Sequence, residues 1–279
     1  MTGWVEKLDA ATVAVDSLLC VGLDPDPSRI PIDDVFDFNR SIVDATSDLV
    51  CAYKPQLAFY EALGGPGLEI MVKTVAYIRS AAPGVVIIGD AKRGDVPSTA
   101  HAYAHALFDV WDFDVTTVNP YLGRDSIEPF TMRHDRGALI LTRTSNPGAQ
   151  DLQDLKLSKD GNSVPLYEHV GELAFSCNER GNVGLIMGAT YPEQLAKMRA
   201  RYPRMPILIP GIGAQGGGLA DSVRFGADKD GLRAIISSSR SILYSCSDPA
   251  TFAVCARRAA TSLRDAIRAA VRSGDMHSE

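Results

Sequence analysis

Eight short apolar runs rich in β-formers punctuate the chain: Leu18–Leu23, Val50–Tyr53, Val85–Gly89, Asp114–Val118, Ala138–Thr142, Val183–Met187, Ile207–Pro210 and Ala234–Ser237. Each ends in polar or glycine-rich sequence. Most are continuously apolar rather than alternating, the pattern of strands buried on both faces of a parallel sheet. Between them, apolar positions recur at helical steps. Phe38, Ile42, Ala45 and Leu49 predict a helix over 38–49, and Met71, Val72, Val75 and Ile78 predict one over 68–81. Pro97 opens a third, over 97–111, in the first turn where a missing N–H costs least. A long amphipathic helix over 248–271 carries Arg257, Arg258, Arg264 and Arg268 as its solvated stripe.

Eight alternating β/α units predict an α/β fold, a (β/α)8 TIM barrel, for which about 250 residues is the usual length. A doubly wound parallel sheet is the alternative. No Pro/Gly/Ser-rich linker divides the sequence, so residues 1–279 are expected to form a single barrel domain with an N-terminal helical lead-in and a C-terminal helix. The longest gap between strands contains residues 148–165, a polar loop of lid-like length.

Composition narrows the function classes. Apolar residues make up 46% of the chain and charged residues 22%, which excludes a disordered or fibrous protein. The formal charge of −6 argues against a nucleic-acid polymer as partner. The acids are unevenly placed: residues 1–48 hold ten of them against Lys7, Arg29 and Arg40, leaving the remainder close to neutral. No apolar run approaches the ~18 residues of a membrane span, and the N-terminus lacks a basic region followed by an apolar core. Cys20, Cys51, Cys177, Cys246 and Cys255 are odd in number and lack CxxC spacing, which reads as free or buried thiols. A cytoplasmic enzyme is the resulting expectation.

In such a barrel the chemistry sits at the C-terminal ends of the strands. The third end reads Gly89-Asp90-Ala91-Lys92-Arg93-Gly94-Asp95. Residues two apart on a strand point the same way, so Asp90 and Lys92 are expected to face the barrel mouth together, with Asp95 following in the loop. Lys54 lies at the end of the adjacent strand, within Tyr53-Lys54-Pro55-Gln56. Two ammonium groups and two carboxylates in one place are costly to desolvate unless paired internally. A catalytic cluster and a structural ion-pair network at the rim are both consistent with the spacing alone.

The seventh end, Gly211-Ile212-Gly213-Ala214-Gln215-Gly216, matches GxGxxG, but the next strand ends in Ser237-Ser238-Ser239-Arg240 without the acid a dinucleotide site requires. A phosphate-binding loop is the better reading, with Gln215 donating from its amide and Arg240 offering a bidentate fork. His101 and His105 share a helix face, but no third metal ligand is evident nearby. Ser145, within Thr144-Ser145-Asn146-Pro147-Gly148, has no positioned base beside it and reads as a substrate-recognising hydroxyl.

This constellation resembles the orotidine 5′-phosphate decarboxylases, most closely their longer bacterial variety (type 2), which carries Ala52-Tyr53-Lys54-Pro55-Gln56 and Asp90-Ala91-Lys92-Arg93-Gly94-Asp95. The likeness runs from about Cys20 to Tyr244 and touches seven of the eight strand ends. It implies cofactor-free decarboxylation of orotidine 5′-phosphate to UMP, the last step of pyrimidine nucleotide biosynthesis, with no metal. It further implies a catalytic tetrad of Lys54, Asp90, Lys92 and Asp95, in which Lys92 donates a proton to C6 of the pyrimidine. Asp90 would sit beside the departing carboxylate, and Lys54 would orient Asp90 and touch the ribose. Asp24 would bind a ribose hydroxyl, Ser145 the pyrimidine edge, and Gln215 with Arg240 the phosphate. Asp95 and Thr99 would be shared across the interface of a homodimer.

Two alternatives carry different expectations. A metal-dependent sugar-phosphate decarboxylase or aldolase of the same barrel type shares the Asp-x-Lys-x-x-Asp element, but Lys54 stands where a Mg²⁺ site would need a carboxylate. A non-catalytic nucleotide-phosphate binding barrel would have no use for two lysines and two acids converging on one carbon.

Overall fold

A computed structural model describes residues 3–159, 161–212 and 218–275 of the chain. Its barrel strands are β1 (Leu19–Leu23), β2 (Ala52–Pro55), β3 (Val86–Arg93), β4 (Val115–Val118) and β5 (Gly137–Arg143). An antiparallel pair follows, β6 (Lys156–Lys159) with β7 (Asn162–Pro165), and then β8 (Val183–Met187), β9 (Ile207–Pro210) and β10 (Ala234–Ser238) complete the barrel. The eight parallel strands close in the order β1-β10-β9-β8-β5-β4-β3-β2, so the sheet is a (β/α)8 barrel and not the open doubly wound alternative.

Closure sorts each strand by parity. Cys20, Ala52, Val86, Ile88, Val115, Leu139, Ile186, Leu208 and Ile235 form the barrel interior, while their neighbours Leu19, Val21, Tyr53, Ile87, Ile140, Leu185, Ile209 and Ile236 pack outward against the helices. Both sets are apolar, which is why the runs are continuous. The N-terminal helix Trp4–Val15 plugs the bottom of the interior with Trp4, Val5, Leu8 and Ala11, and the Trp4 indole donates to the Asn182 carbonyl at 2.8 Å.

The C-terminal helix, Phe252–Asp275, packs against the helix Val35–Thr46 of the first unit and the helix Leu219–Gly226 near the end of the barrel. Its arginines answer the acidic N-terminal segment: Arg257 pairs with Asp48 at 2.7 Å and Arg268 with Asp16 at 3.0 Å. The helix predicted over 97–111 runs only from Pro97 to His105 and then widens into a π-helical turn over Ala106–Val110. The segment 148–165, expected as a polar loop, instead holds a short helix, Gln150–Gln153, and the β6–β7 hairpin. Its polarity concealed the strands because a two-stranded pair outside the barrel has little apolar surface to bury.

The cysteine expectation needs one correction. Cys20, Cys51 and Cys177 are free and buried, but Cys246 and Cys255 are joined in a disulfide, their Cα atoms 5.9 Å apart. The turn into the last helix brings them into bonding range, a proximity that spacing alone did not reveal. No helix among the described residues is long and apolar enough to cross a membrane.

Candidate active site

The barrel interior changes character one layer below its C-terminal mouth. Two residues beyond the inward-facing Ala52, Ile88 and Val115 come Lys54, Asp90 and Thr117, on the same parity of β2, β3 and β4. Asp90 collects the donors of this layer. Its Oδ2 accepts from Lys54 Nζ at 2.8 Å and Gln56 Nε2 at 2.9 Å; its Oδ1 accepts from Lys92 Nζ at 2.5 Å and Thr117 Oγ1 at 2.9 Å.

Lys92 reaches this position through an irregular backbone. The register of β3 against β4 shifts between Gly89 and Arg93, and Lys92 adopts φ +48°, a left-handed conformation that a side chain disfavours. Its amide donates to Thr117 Oγ1 at 2.8 Å, so the same hydroxyl holds the Lys92 backbone and the Asp90 carboxylate.

Burial makes the electrostatics strong. The Lys54 and Asp90 side chains are 6% and 7% exposed, whereas Lys92 is 45% exposed and stands at the open end of the cluster. Burial opposes the charge on Lys54, but the carboxylates of Asp90 and Asp24 outweigh it and hold this ammonium above the ordinary lysine range. Burial likewise opposes ionisation of Asp90, and the Lys54 and Lys92 ammonium groups overcome it and hold the carboxyl well below the usual carboxylate range. The neighbouring Cys20 is fully buried, and burial pushes its thiol up to about 12 although Lys54 pulls the other way.

Above this layer opens a cavity of about 520 Å³, lined on one side by Asp24, Lys54, Asp90 and Lys92, and on the other by Ser145, Ser237–Ser239 and Arg240. Asp24 lies 4.0 Å from Lys54 Nζ, and its buried Oδ1 has no hydrogen-bond partner among the described residues. Arg240 opens the short helix Arg240–Leu243, and its guanidinium has no ion-pair partner among the described residues. The cavity thus carries an acidic and an ammonium-rich end near β1–β3 and a guanidinium near β10. Apolar Leu141, Ile186, Leu208 and Ile212 form its floor and wall.

Two of the expected site residues are elsewhere. Asp95 accepts from the Val96 amide at 2.7 Å, and neither it nor Thr99 on the helix Pro97–His105 lines the cavity of its own chain. Gln215 lies outside the described residues. Among those described, no three His, Cys, Asp or Glu side chains converge as a metal ion would require, and His105 Nδ1 instead meets Asp109 at 2.7 Å.

Gln56 and Thr117 take part in the cluster without having been singled out from the sequence. Strand parity offered the signal: each lies two residues from an inward-facing position, Lys54 and Val115, and polar side chains there have only Asp90's layer to join.

Comparison with known proteins places this geometry among relatives. Residues 17–253 match the model of the Orotidine 5′-phosphate decarboxylase / HUMPS family. The chain is 50% identical over 275 residues to the orotidine 5′-phosphate decarboxylase of Roseiflexus castenholzii, covering 96% of this chain and 98% of that one. It is 49% identical over 265 residues to the enzyme of that name from Dehalococcoides mccartyi, covering 95% and 97%. Among solved structures, an orotidine-monophosphate-decarboxylase from Toxoplasma gondii superposes with a TM-score of 0.89 at 35% identity, covering 100% of this chain and 99% of that one.

Proposed function

The chain belongs to the orotidine 5′-phosphate decarboxylase / HUMPS family, and from that premise we propose how the mouth of its barrel decarboxylates orotidine 5′-phosphate to UMP. As a carboxy-lyase of pyrimidine biosynthesis it must break the bond between C6 of the pyrimidine and the carboxylate carbon. The bonding electron pair stays on C6 as CO₂ leaves. That pair occupies an in-plane sp² orbital, outside the ring's π system, with no adjacent carbonyl to accept it.

The observation that carries the reading is the Asp90 carboxylate held between the ammonium groups of Lys54 and Lys92 at the cavity floor. Fixed charge of this kind stabilises a developing carbanion without reorganising, usually the largest catalytic contribution an enzyme makes. Lys92, the more exposed of the two lysines, stabilises the C6 carbanion and then donates a proton from Nζ to it, leaving a neutral amine that water reprotonates. Asp90 faces the departing carboxylate, and Lys54 orients Asp90 and contacts the ribose. No cofactor is needed in this scheme, because the proton and the stabilising charge both come from side chains.

The remaining assignments follow from the groups that line the cavity. Asp24 Oδ1, a buried acceptor without a partner among the described residues, suits a ribose hydroxyl. Arg240 suits the phosphate, the amide of Gln215 is assigned to it as a second donor, and Ser145 suits the pyrimidine edge across the cavity. Phosphate binding far from C6 can then support the transition state as well as the bound substrate.

Asp95 and Thr99 complete the site from a second subunit in this reading. Their position outside their own cavity supports a homodimer with shared sites. A nucleotide substrate and product fit a cytoplasmic enzyme.

Purified protein with orotidine 5′-phosphate is expected to show the fall in ultraviolet absorbance that accompanies loss of the carboxylate, undiminished in excess chelator. Absence of turnover would overturn the reading, and turnover abolished by chelator would point to the metal-dependent barrel enzymes instead.

A further inference from the structure

Arg143, the last residue of β5, is 1% exposed, although a guanidinium is expensive to bury without partners. It has partners on every side. Nε donates to Gln194 Oε1 at 2.8 Å, Nη1 to Gln153 Oε1 at 3.1 Å and Nη2 to Asp154 Oδ2 at 3.0 Å, while its plane lies 3.8 Å from the centre of the Tyr191 ring. One cation therefore ties the end of β5 to the inserted helix Gln150–Gln153 and to the helix Pro192–Arg201.

Gln153 passes this anchorage on to the loop that carries Ser145. Its Oε1 also accepts from the Thr144 amide at 2.9 Å, and its Nε2 donates to Thr144 Oγ1 at 2.9 Å. That hydroxyl in turn donates to Asn146 Oδ1 at 2.6 Å, so both neighbours of Ser145 are held. Behind the loop, the Gly188 amide donates to the Arg143 carbonyl at 2.7 Å, and a Cβ at 188 would come within 2.8 Å of Ser145 Cβ. Thr144, Ser145, Asn146 and Gln153 all line the cavity.

We propose that Gln153, clamped by Arg143, is a positioning residue that fixes the Thr144-Ser145-Asn146 loop for recognition of the pyrimidine. The inference rests on the assignment of Ser145 to the pyrimidine edge, and it gives the 148–165 insertion a definite purpose, since its first helix braces the specificity loop. Side chains held by two or more hydrogen bonds present a hydroxyl in one geometry, which is what discrimination between bases requires.

The test compares Gln153→Leu, Gln153→Glu, Ser145→Ala and the double variant Gln153→Leu/Ser145→Ala, with KM and kcat read from turnover. Ribose 5-phosphate, which lacks the base, serves as a competitive inhibitor that probes the phosphate end alone. Gln153→Leu is expected to raise KM for orotidine 5′-phosphate about tenfold, the scale of one lost hydrogen bond, with little change in kcat or in inhibition by ribose 5-phosphate. Gln153→Glu keeps the acceptor that faces Arg143 and the Thr144 amide, so it should recover most of the loss. The double variant should be no worse than Ser145→Ala, because a residue acting through Ser145 has nothing left to position once that hydroxyl is gone.

Equal weakening of ribose 5-phosphate, or additive effects in the double variant, would overturn the proposal. If Ser145→Ala raises KM while Gln153→Leu does not, the positioning role fails and the recognition role of Ser145 stands. If Ser145→Ala is itself silent, the recognition role falls and the positioning role falls with it.

Discussion

The hydroxyl of Thr117 donates to Asp90 Oδ1 at 2.9 Å from the adjacent strand, and it is also the acceptor for the amide of Lys92. One small side chain thus fixes the carboxylate and the left-handed turn of backbone that presents the ammonium. Replacement by valine preserves volume and strand propensity while removing both bonds. Thr117→Val is expected to lower kcat about tenfold to a hundredfold with a smaller effect on KM, since in the proposed mechanism the groups it positions act on the reacting carbon. Steady-state turnover checks this; an unchanged kcat would show that strand packing alone sets the geometry.

Lys92 is the only one of the two lysines exposed enough to meet substrate broadly. Lys92→Ala removes the group that the proposed mechanism uses as both facing charge and proton source, so turnover should fall by more than about a thousandfold. Calorimetry should still detect binding of UMP, whose phosphate and ribose are assigned to other residues of the cavity. Retained turnover would remove Lys92 from its assigned role.

Asp90 also contributes to stability in a pH-dependent way. Its folded pKa lies below the unfolded one, so its stabilisation is fully present above the ordinary carboxylate range near pH 4 and is lost as pH falls below that range. Lys54 is raised, so its contribution is complete below the ordinary lysine range and is lost only as pH rises beyond it. Between the two ranges the pair's contribution is flat. Asp90→Asn leaves Lys54 buried with Asp24, 4.0 Å away, as its one remaining carboxylate, and should cost about 3–5 kcal/mol at neutral pH. In denaturant unfolding series that deficit should narrow as the pH is taken below about 4; a deficit independent of pH would mean that the loss is one of packing.

Shared sites predict complementation. Lys92→Ala and Asp95→Ala subunits should each be nearly inactive alone. Reassorted together, half of randomly paired dimers are mixed and each carries one intact site, so activity should return to about a quarter of wild type. No recovery after verified subunit exchange would place Asp95 in its own chain's chemistry or outside it.

Local pattern was enough to show where most strands run. Val183–Met187 and Ile207–Pro210 have the limits their apolar runs suggest, and the other barrel strands differ by a few residues at their ends. The reason is physical: a barrel strand is buried on both faces, so its apolar run is as long as its burial. The hairpin β6–β7 was not legible because its residues lie outside that burial, and the helix from Pro97 ended early because nothing local marks the widened turn. The Asp-x-Lys spacing anticipated Asp90 and Lys92 at the barrel mouth, but strand alternation alone does not deliver Lys92 there: a register shift and a left-handed residue complete the placement.

Closure of the barrel decided the rest. Only the parallel register of β2, β3 and β4 sets Lys54, Gln56 and Thr117 around one carboxylate, from positions 27 to 36 residues away in the chain. It also brings Arg143 at the end of β5 to Gln194 on a later helix. Which residues are inward, apolar or charged could be read along the chain, because those are properties of one strand or one helix. Which of them meet is a property of how distant strands are aligned, and that alignment is settled by packing the whole barrel at once.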